Sequence, residues 1–239
     1  MPDNRILVTG GFTGTFFRGL TYFGTITGNV ITWAQGTSIP VQVCQHGSTL
    51  TSDNRYVQVG GLISGLVATD VTRFGVVSGT TITWTVGTPL PNTRRVHTQV
   101  TLPDGRLLVT GGIDILNKMY SNTFFGDVSG DIVTWTQGTD LPYRLSSHTM
   151  TVLGDGRILV TGGSTWNGAV INVSDQLITT RECFFGTISG TTITWTTGTP
   201  IPFFLSEHRA MIDPNNFIWL SGGVSPDSAL TTMFRGKIT

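Results

Sequence analysis

Three unrelated residue types recur along this chain with one common period. Gly-Gly pairs stand at Gly10-Gly11, Gly60-Gly61, Gly111-Gly112, Gly162-Gly163 and Gly222-Gly223, spaced by 50, 51, 51 and 60 residues. Trp33, Trp84, Trp135 and Trp195 step by 51, 51 and 60, and so do His46, His97, His148 and His208. Each histidine precedes the first glycine of the next pair by 14 residues. Three markers in one register mean repeated copies of a single supersecondary unit, packed against one another to bury a continuous core.

The unit reads as four short strands. The first starts at the histidine (His148–Leu153) and turns at Asp155-Gly156, a pair that accepts the positive φ of a tight hairpin. The second, Arg157–Thr161, is an apolar run ending at the glycine pair, as suits a strand covered on both faces. The third, Phe184–Ile188, turns at Ser189-Gly190 into the fourth, Thr192–Thr196, which leads to Gly198-Thr199-Pro200. Composition agrees: 41 Thr and 31 Gly stand against five Ala, two Glu and two Lys. Threonine favours strands and glycine turns, while the helix formers are scarce, so a helical bundle or a βαβ fold is excluded. The expected fold is an all-β propeller of four-stranded antiparallel blades, one domain over 1–239 with units near 1–43, 44–94, 95–145, 146–205 and 206–239.

Phe125-Gly126 through Trp135, followed by Leu141-Pro142-Tyr143-Arg144, His148 and Gly162-Gly163, resembles a kelch repeat. The resemblance covers nearly the whole chain and implies a β-propeller. It departs from the family in the aromatic before the third-strand glycine, which is not a fixed Tyr. It implies architecture more than activity, because propellers host many functions.

Counting strands leaves closure open. The chain holds five second and five third strands, from Ile6–Gly11 to Phe234–Thr239, but four first and four fourth strands. Five blades with incomplete terminal blades is the preferred count. The alternatives are four blades, with the strand at His208 completing the N-terminal one, or a piece of a longer propeller, or missing strands supplied by another chain.

No catalytic residue, metal ligand or cofactor is expected. The four histidines suggest a metal-binding ring, but a residue needed once per blade more simply makes the same local hydrogen bond in each. Asp104-Gly105 and Asp155-Gly156 lack the ligand run of a calcium loop and read as turns. Ser129–Trp135 resembles the Asp-box of sialidase propellers but lacks its internal glycine. The galactose- and glyoxal-oxidase copper site needs a Tyr cross-linked to a Cys, and neither Cys44 nor Cys183 has a Tyr partner by position; both cysteines read as free and buried. Fragments of such catalytic propellers, and a purely structural self-associating subunit, are the rival readings.

With 14 basic and 14 acidic residues the chain has no net charge, which argues against a nucleic-acid partner. No run approaches the ~18–20 apolar residues of a membrane span, and Met1–Arg5 leads into a strand without a signal-peptide core, so membrane insertion is not expected. The Thr- and Gly-rich, Lys-poor composition resembles extracellular or virion adhesion proteins; the compartment is left open.

Function in a repeat protein sits where the repeats differ. The fourth complete unit has 23 positions between Gly163 and Gly186, against 13 or 14 elsewhere, an insertion containing Trp166 and Asn167. Loops on a rigid scaffold commonly carry binding. The fourth-to-first connections open on the same face and vary in sequence. Trp166, Asn167, Arg94, Arg95, Tyr143, Arg144, Phe203, Phe204 and Glu207 form the expected binding surface, of the aromatic and arginine type that dominates interfaces. The alternative for the arginines is that they brace neighbouring loops. The expected function is a non-catalytic binding or assembly module for a protein or glycan, with self-association through the unfinished blades as a further expectation.

Overall fold

A computed structural model describes residues 1, 3–166 and 177–238, the side chain of Leu177 excepted; Asn167 and the Asn172-Val173-Ser174 sequon lie outside the described residues. The chain is an all-β propeller of five blades. Blade 1 is β1 (Ile6–Phe12), β2 (Phe17–Thr27) and β3 (Val30–Gly36). Blade 2 is β4 (Val43–Cys44), β5 (Gly47–Leu50), β6 (Tyr56–Ile63), β7 (Val67–Ser78) and β8 (Thr81–Gly87). Blade 3 is β9 (Thr98–Thr101), β10 (Leu107–Thr110), β11 (Thr123–Ser129) and β12 (Ile132–Gln137). Blade 4 is β13 (Thr149–Val152), β14 (Ile158–Thr161), β17 (Cys183–Ser189) and β18 (Thr192–Thr197), beside which β15 (Ser164–Trp166) and β16 (Leu177–Thr179) pair antiparallel in a separate two-stranded sheet. Blade 5 is β19 (Arg209–Ile212), β20 (Phe217–Ser221) and β21 (Met233–Lys237). All strand pairs in the blades are antiparallel, and β5, β9, β13 and β19 succeed one another around the axis.

The pairing decides the blade count. β19 pairs with β20 through Arg209↔Ser221 to Ile212↔Ile218 and not with β1. The alternative of four blades, closed by the strand after His208, is therefore corrected. That strand's apolar partners lie on its own second strand, with Leu220 buried in the cluster that joins blades 4 and 5.

The glycine ladder is where the backbone most needs glycine. The first glycine of each pair has φ between +55° and +64° and the second between +94° and +123°, a region closed to most side chains. The reason is close approach between blades. A Cβ on Gly60 would lie 2.9 Å from Cε1 of His97, and one on Gly112 would lie 2.8 Å from Cβ of the same histidine. His46, His148 and His208 are gripped in the same way by Gly10 and Gly61, Gly111 and Gly163, and Gly162 and Gly223. The histidine and glycine ladders are thus two halves of one inter-blade contact.

The apolar core also lies between blades. Val57 and Phe74 of blade 2 pack with Leu107, Phe124 and Val133 of blade 3, and Leu108 and Phe125 pack with Met150, Ile158 and Ile193 of blade 4. Ile82, Val133 and Ile193 on the fourth strands are 2%, 1% and 2% exposed. Ile31 at the same register of blade 1 is 44% exposed, since no preceding blade covers it among the described residues.

Candidate binding face

The two ends of the propeller are built differently. On the end that carries the first-to-second and third-to-fourth turns, charged side chains are spent on joining blades. Arg5, Arg55 and Arg106 each stack on the third-strand phenylalanine of their own blade (Phe23, Phe74, Phe125), with 4.5, 4.5 and 4.6 Å to the ring centroids. Each is also held by an aspartate two residues earlier. Each then donates to a turn carbonyl of the next blade: Arg5 to Gly79 at 2.7 Å, Arg55 to Gly130 at 2.8 Å and Arg106 to Gly190 at 2.8 Å. Arg55 adds an ion pair with Asp131 at 2.9 Å. The aspartates read as turn residues do make the turns, and they also aim this latch. Blade 5 keeps the stacking pair with its members exchanged: Phe217 stands where Arg157 stands in blade 4, and Arg235, 3.5 Å from the Phe217 centroid, replaces Phe185.

The opposite end is open. An axial funnel of about 850 Å³ is lined from all five blades, by Phe12, Gln45, Val96, Ser147, Glu207 and Arg209 among others. Gln45, Val96, Ser147 and Glu207 each precede a ladder histidine, and each has a positive φ of 55°, 49°, 51° and 59°. This geometry turns their main chain round the axis. The N–H of Val96 donates to the Gln45 carbonyl at 2.9 Å, Ser147 to Val96 at 2.8 Å and Glu207 to Ser147 at 2.9 Å. The mouth is edged by a backbone arc whose side chains differ in each of blades 2 to 5. A β-branched residue such as Val96 is strained in the left-handed region by about 1–2 kcal/mol.

Below the arc the histidines are structural. His148 Nε2 shares a hydrogen bond with Thr110 Oγ1 at 2.8 Å, His208 Nε2 with Thr161 at 3.0 Å and Thr149 at 3.1 Å, and His46 with the Tyr56 hydroxyl at 3.4 Å. Burial lowers their pKa values to about 3 for His148 and about 4 for His46 and His208, so all three are neutral at pH 7. His97 is the exception. At the positions of Thr161 and Thr149, blade 2 has Val59 and Gly47, neither with a hydroxyl. His97 Nε2 and both amide atoms of the adjacent buried Gln99 find no partner among the described residues.

The residues expected to bind divide into braces and free groups. Arg94 is wholly buried: Nη1 donates to the Gly111 carbonyl at 2.9 Å, its guanidinium lies over Tyr120 and Phe124, and burial lowers its pKa to about 10. Arg95 bridges Gln45 at 3.1 Å and Asn117 at 3.4 Å beside the funnel. Tyr143 packs edge-on against Phe184 and reaches Thr180 at 3.2 Å, and Phe203 stacks on Phe234 at 4.0 Å. Arg144, Phe204 and Glu207 are exposed, with the Arg181 guanidinium 5.8 Å from the Phe204 ring. Trp166, half-buried on β15, pairs with Leu177. Among the described residues of the set, Glu207 alone lines the funnel. Sequence reasoning missed Gln45, Val96, Gln99, Arg209 and Phe12; for the first four the histidine ladder was the available signal, since each lies within two residues of a ladder histidine at the innermost strand, whereas Phe12 follows the Gly10-Gly11 pair at the end of β1. Cys44 and Cys183 are both free and buried, and burial raises both thiol pKa values, that of Cys183 to about 11.

No protein-family model matches the chain, and no curated protein matches it. Among solved structures it is similar to one described as the structure of YjhT, with 12% identity, a TM-score of 0.54, and coverage of 92% of this chain and 89% of that one. At that identity the likeness concerns the fold alone, a β-propeller. Chemically, the funnel offers neutral hydrogen-bonding groups, one carboxylate, one guanidinium and an aromatic rim.

Proposed function

We propose that the chain is a non-catalytic recognition module built on kelch-type repeats, and that it binds a glycan at the mouth of the axial funnel. The observation that carries this reading is the asymmetry of the two ends. All five ion pairs among the described residues lie on the latch end, whereas Arg209 and Glu207 flank a concave opening on the end where the repeats diverge. A concave polar site with a few convergent groups suits a small hydroxylated ligand. Arg209 and Glu207 supply donors and acceptors, and Phe12, 53% exposed and packed 5.1 Å from Phe17, supplies an apolar face for a sugar ring. A glycan array probed with wild type, Arg209→Ala and Glu207→Ala tests the reading. Signals lost in both variants, with unchanged thermal melts, support it; an array without signals, or signals indifferent to both variants, contradicts it.

A second reading, docking of a protein, is favoured by one separate feature. The second-to-third loops around the funnel carry exposed apolar residues, Phe16 at 60%, Leu66 at 62% and Leu116 at 85%, the composition of an interface rim that a flat partner would cover.

A further inference from the structure

One ladder histidine lacks the hydroxyl that the others have. Nε2 of His148 meets Thr110 Oγ1, that of His208 meets Thr161 and Thr149, and that of His46 meets the Tyr56 hydroxyl, itself 2.6 Å from Thr9 Oγ1. The residue before the glycine pair is Thr9, Thr110, Thr161 or Ser221 in four blades and Val59 in blade 2. The residue after the ladder histidine is Thr149 in blade 4 and Gly47 in blade 2. Both hydroxyl positions facing His97 are therefore blank, and its Nε2 has no partner among the described residues.

The same place holds a second orphan. Gln99 stands two residues on, where blades 2, 4 and 5 have Ser48, Met150 and Ala210, and neither polar atom of its amide has a partner among the described residues. His97 Nε2 and Gln99 Oε1 converge over Gly47, 2.6 and 2.8 Å from the point where a Cβ would stand. Any residue larger than glycine would collide with both polar ends. Both side chains are 7% exposed and both line the funnel, between β5 and β9 of two blades that each have a complete set of strands. Unpaired buried donors and acceptors are costly, so a group that completes their bonds binds there with an advantage. No bond holds the Gln99 amide, and rotation of its side chain turns it toward such a group.

We propose that this step of the funnel wall is a subsite for two neighbouring hydroxyls of a sugar ring, one bonded to His97 Nε2 and the next to the Gln99 amide. A hydroxyl is the group that the fold itself sets on this nitrogen at His46, His148 and His208. Burial, with Arg94 nearby, keeps the His97 imidazole neutral at pH 7, so Nε2 accepts from a hydroxyl or donates to one according to its tautomer. The amide presents a donor and an acceptor side by side, which suits the adjacent hydroxyl in either role. A metal ion would find too few ligands: among the described residues no three His, Cys, Asp or Glu side chains gather to hold one. The inference deepens the glycan reading and rests on it. Arg209 and Glu207 take the ligand at the mouth, and this pair selects the arrangement of hydroxyls below.

The chain has four histidines, so proton–nitrogen correlation spectra of the imidazoles report each ladder step separately. The probes are the methyl glycosides of mannose, galactose and glucose, titrated into the whole chain. The expected result is a saturable shift of His97 Nε2 with at least one probe, while His148 and His208 stay in place. Affinity falls about tenfold in Val59→Thr, which offers Nε2 a hydroxyl from the protein, and in Gln99→Met, which gives blade 3 the residue of blade 4. Urea midpoints of both variants confirm that they fold. A His97 signal that no probe moves, or a shift that both variants leave unchanged, overturns the subsite. The glycan array separates this failure from failure of the funnel reading: array signals abolished by Arg209→Ala, with His97 unmoved, remove the subsite alone.

Discussion

Cε1 of His148 lies 2.8 Å from the point where a Cβ on Gly111 would begin, and the Leu145 carbonyl oxygen lies closer still. Gly111 has φ +63°, and so does the first glycine of every pair within a few degrees. Gly111→Ala therefore combines a left-handed φ with a collision against backbone, and is expected to destabilise by about 3 kcal/mol or more. Gly130→Ala is the control: its φ is +57° but nothing lies within 4 Å, so about 1 kcal/mol is expected. Urea denaturation of the two variants checks the difference.

The arginine latches predict a second contrast. Arg106→Ala removes a charged hydrogen bond to the Gly190 carbonyl and the stacking on Phe125, a loss of about 2–4 kcal/mol. Arg157→Ala removes an exposed pair with Asp155 and a looser stack on Phe185, 5.1 Å to the centroid, but no inter-blade carbonyl contact, and is expected to cost about 1 kcal/mol. Equal losses in thermal or urea unfolding would show that the inter-blade carbonyl contributes nothing.

His97 predicts a substitution that helps. Val59→Thr restores the hydroxyl that Thr110 and Thr161 give to His148 and His208, so the urea midpoint is expected to hold or rise. Val57→Thr, equally buried on the same face and in the same apolar cluster with Phe74 and Leu107, buries a hydroxyl away from the His97 ring and is expected to lose about 1–3 kcal/mol.

Acid should weaken the fold before it touches the carboxylates. The native pKa values of His148 and His208, about 3 and about 4, lie below the ordinary 6.5. The unfolded chain therefore binds more protons through that interval. Stability is complete above pH 6.5 and falls as pH drops toward 4, by about 1 kcal/mol per buried histidine at pH 5.5. Urea midpoints at pH 7.5 and 5.5 measure it, and His148→Gln should flatten the slope.

The architecture was legible because it rests on residues that the backbone itself demands. Gly10-Gly11 and its four successors can occupy positive φ where other residues cannot, and His46, His97, His148 and His208 must fill the gaps those glycines leave. Strand order and the unfinished ends followed from the same register. The candidate site was read less well, because burial depends on packing that a single sequence does not display. Arg94 and Arg144 look alike in the varying connections, yet one is sealed under Tyr120 and the other faces solvent. Arg209 and Gln99 were passed over because they sit inside the repeated first strand, where only the axis, absent from a linear pattern, makes them special.

Recognition at the funnel end is tested most directly by comparing one array ligand across the two ends of the propeller. Titration of the strongest glycan into Arg209→Ala and into Asn29→Ala, an exposed turn residue on the latch end, should abolish binding in the first and leave it unchanged in the second. Binding that survives Arg209→Ala and disappears with Asn29→Ala would place recognition on the wrong end and contradict the account.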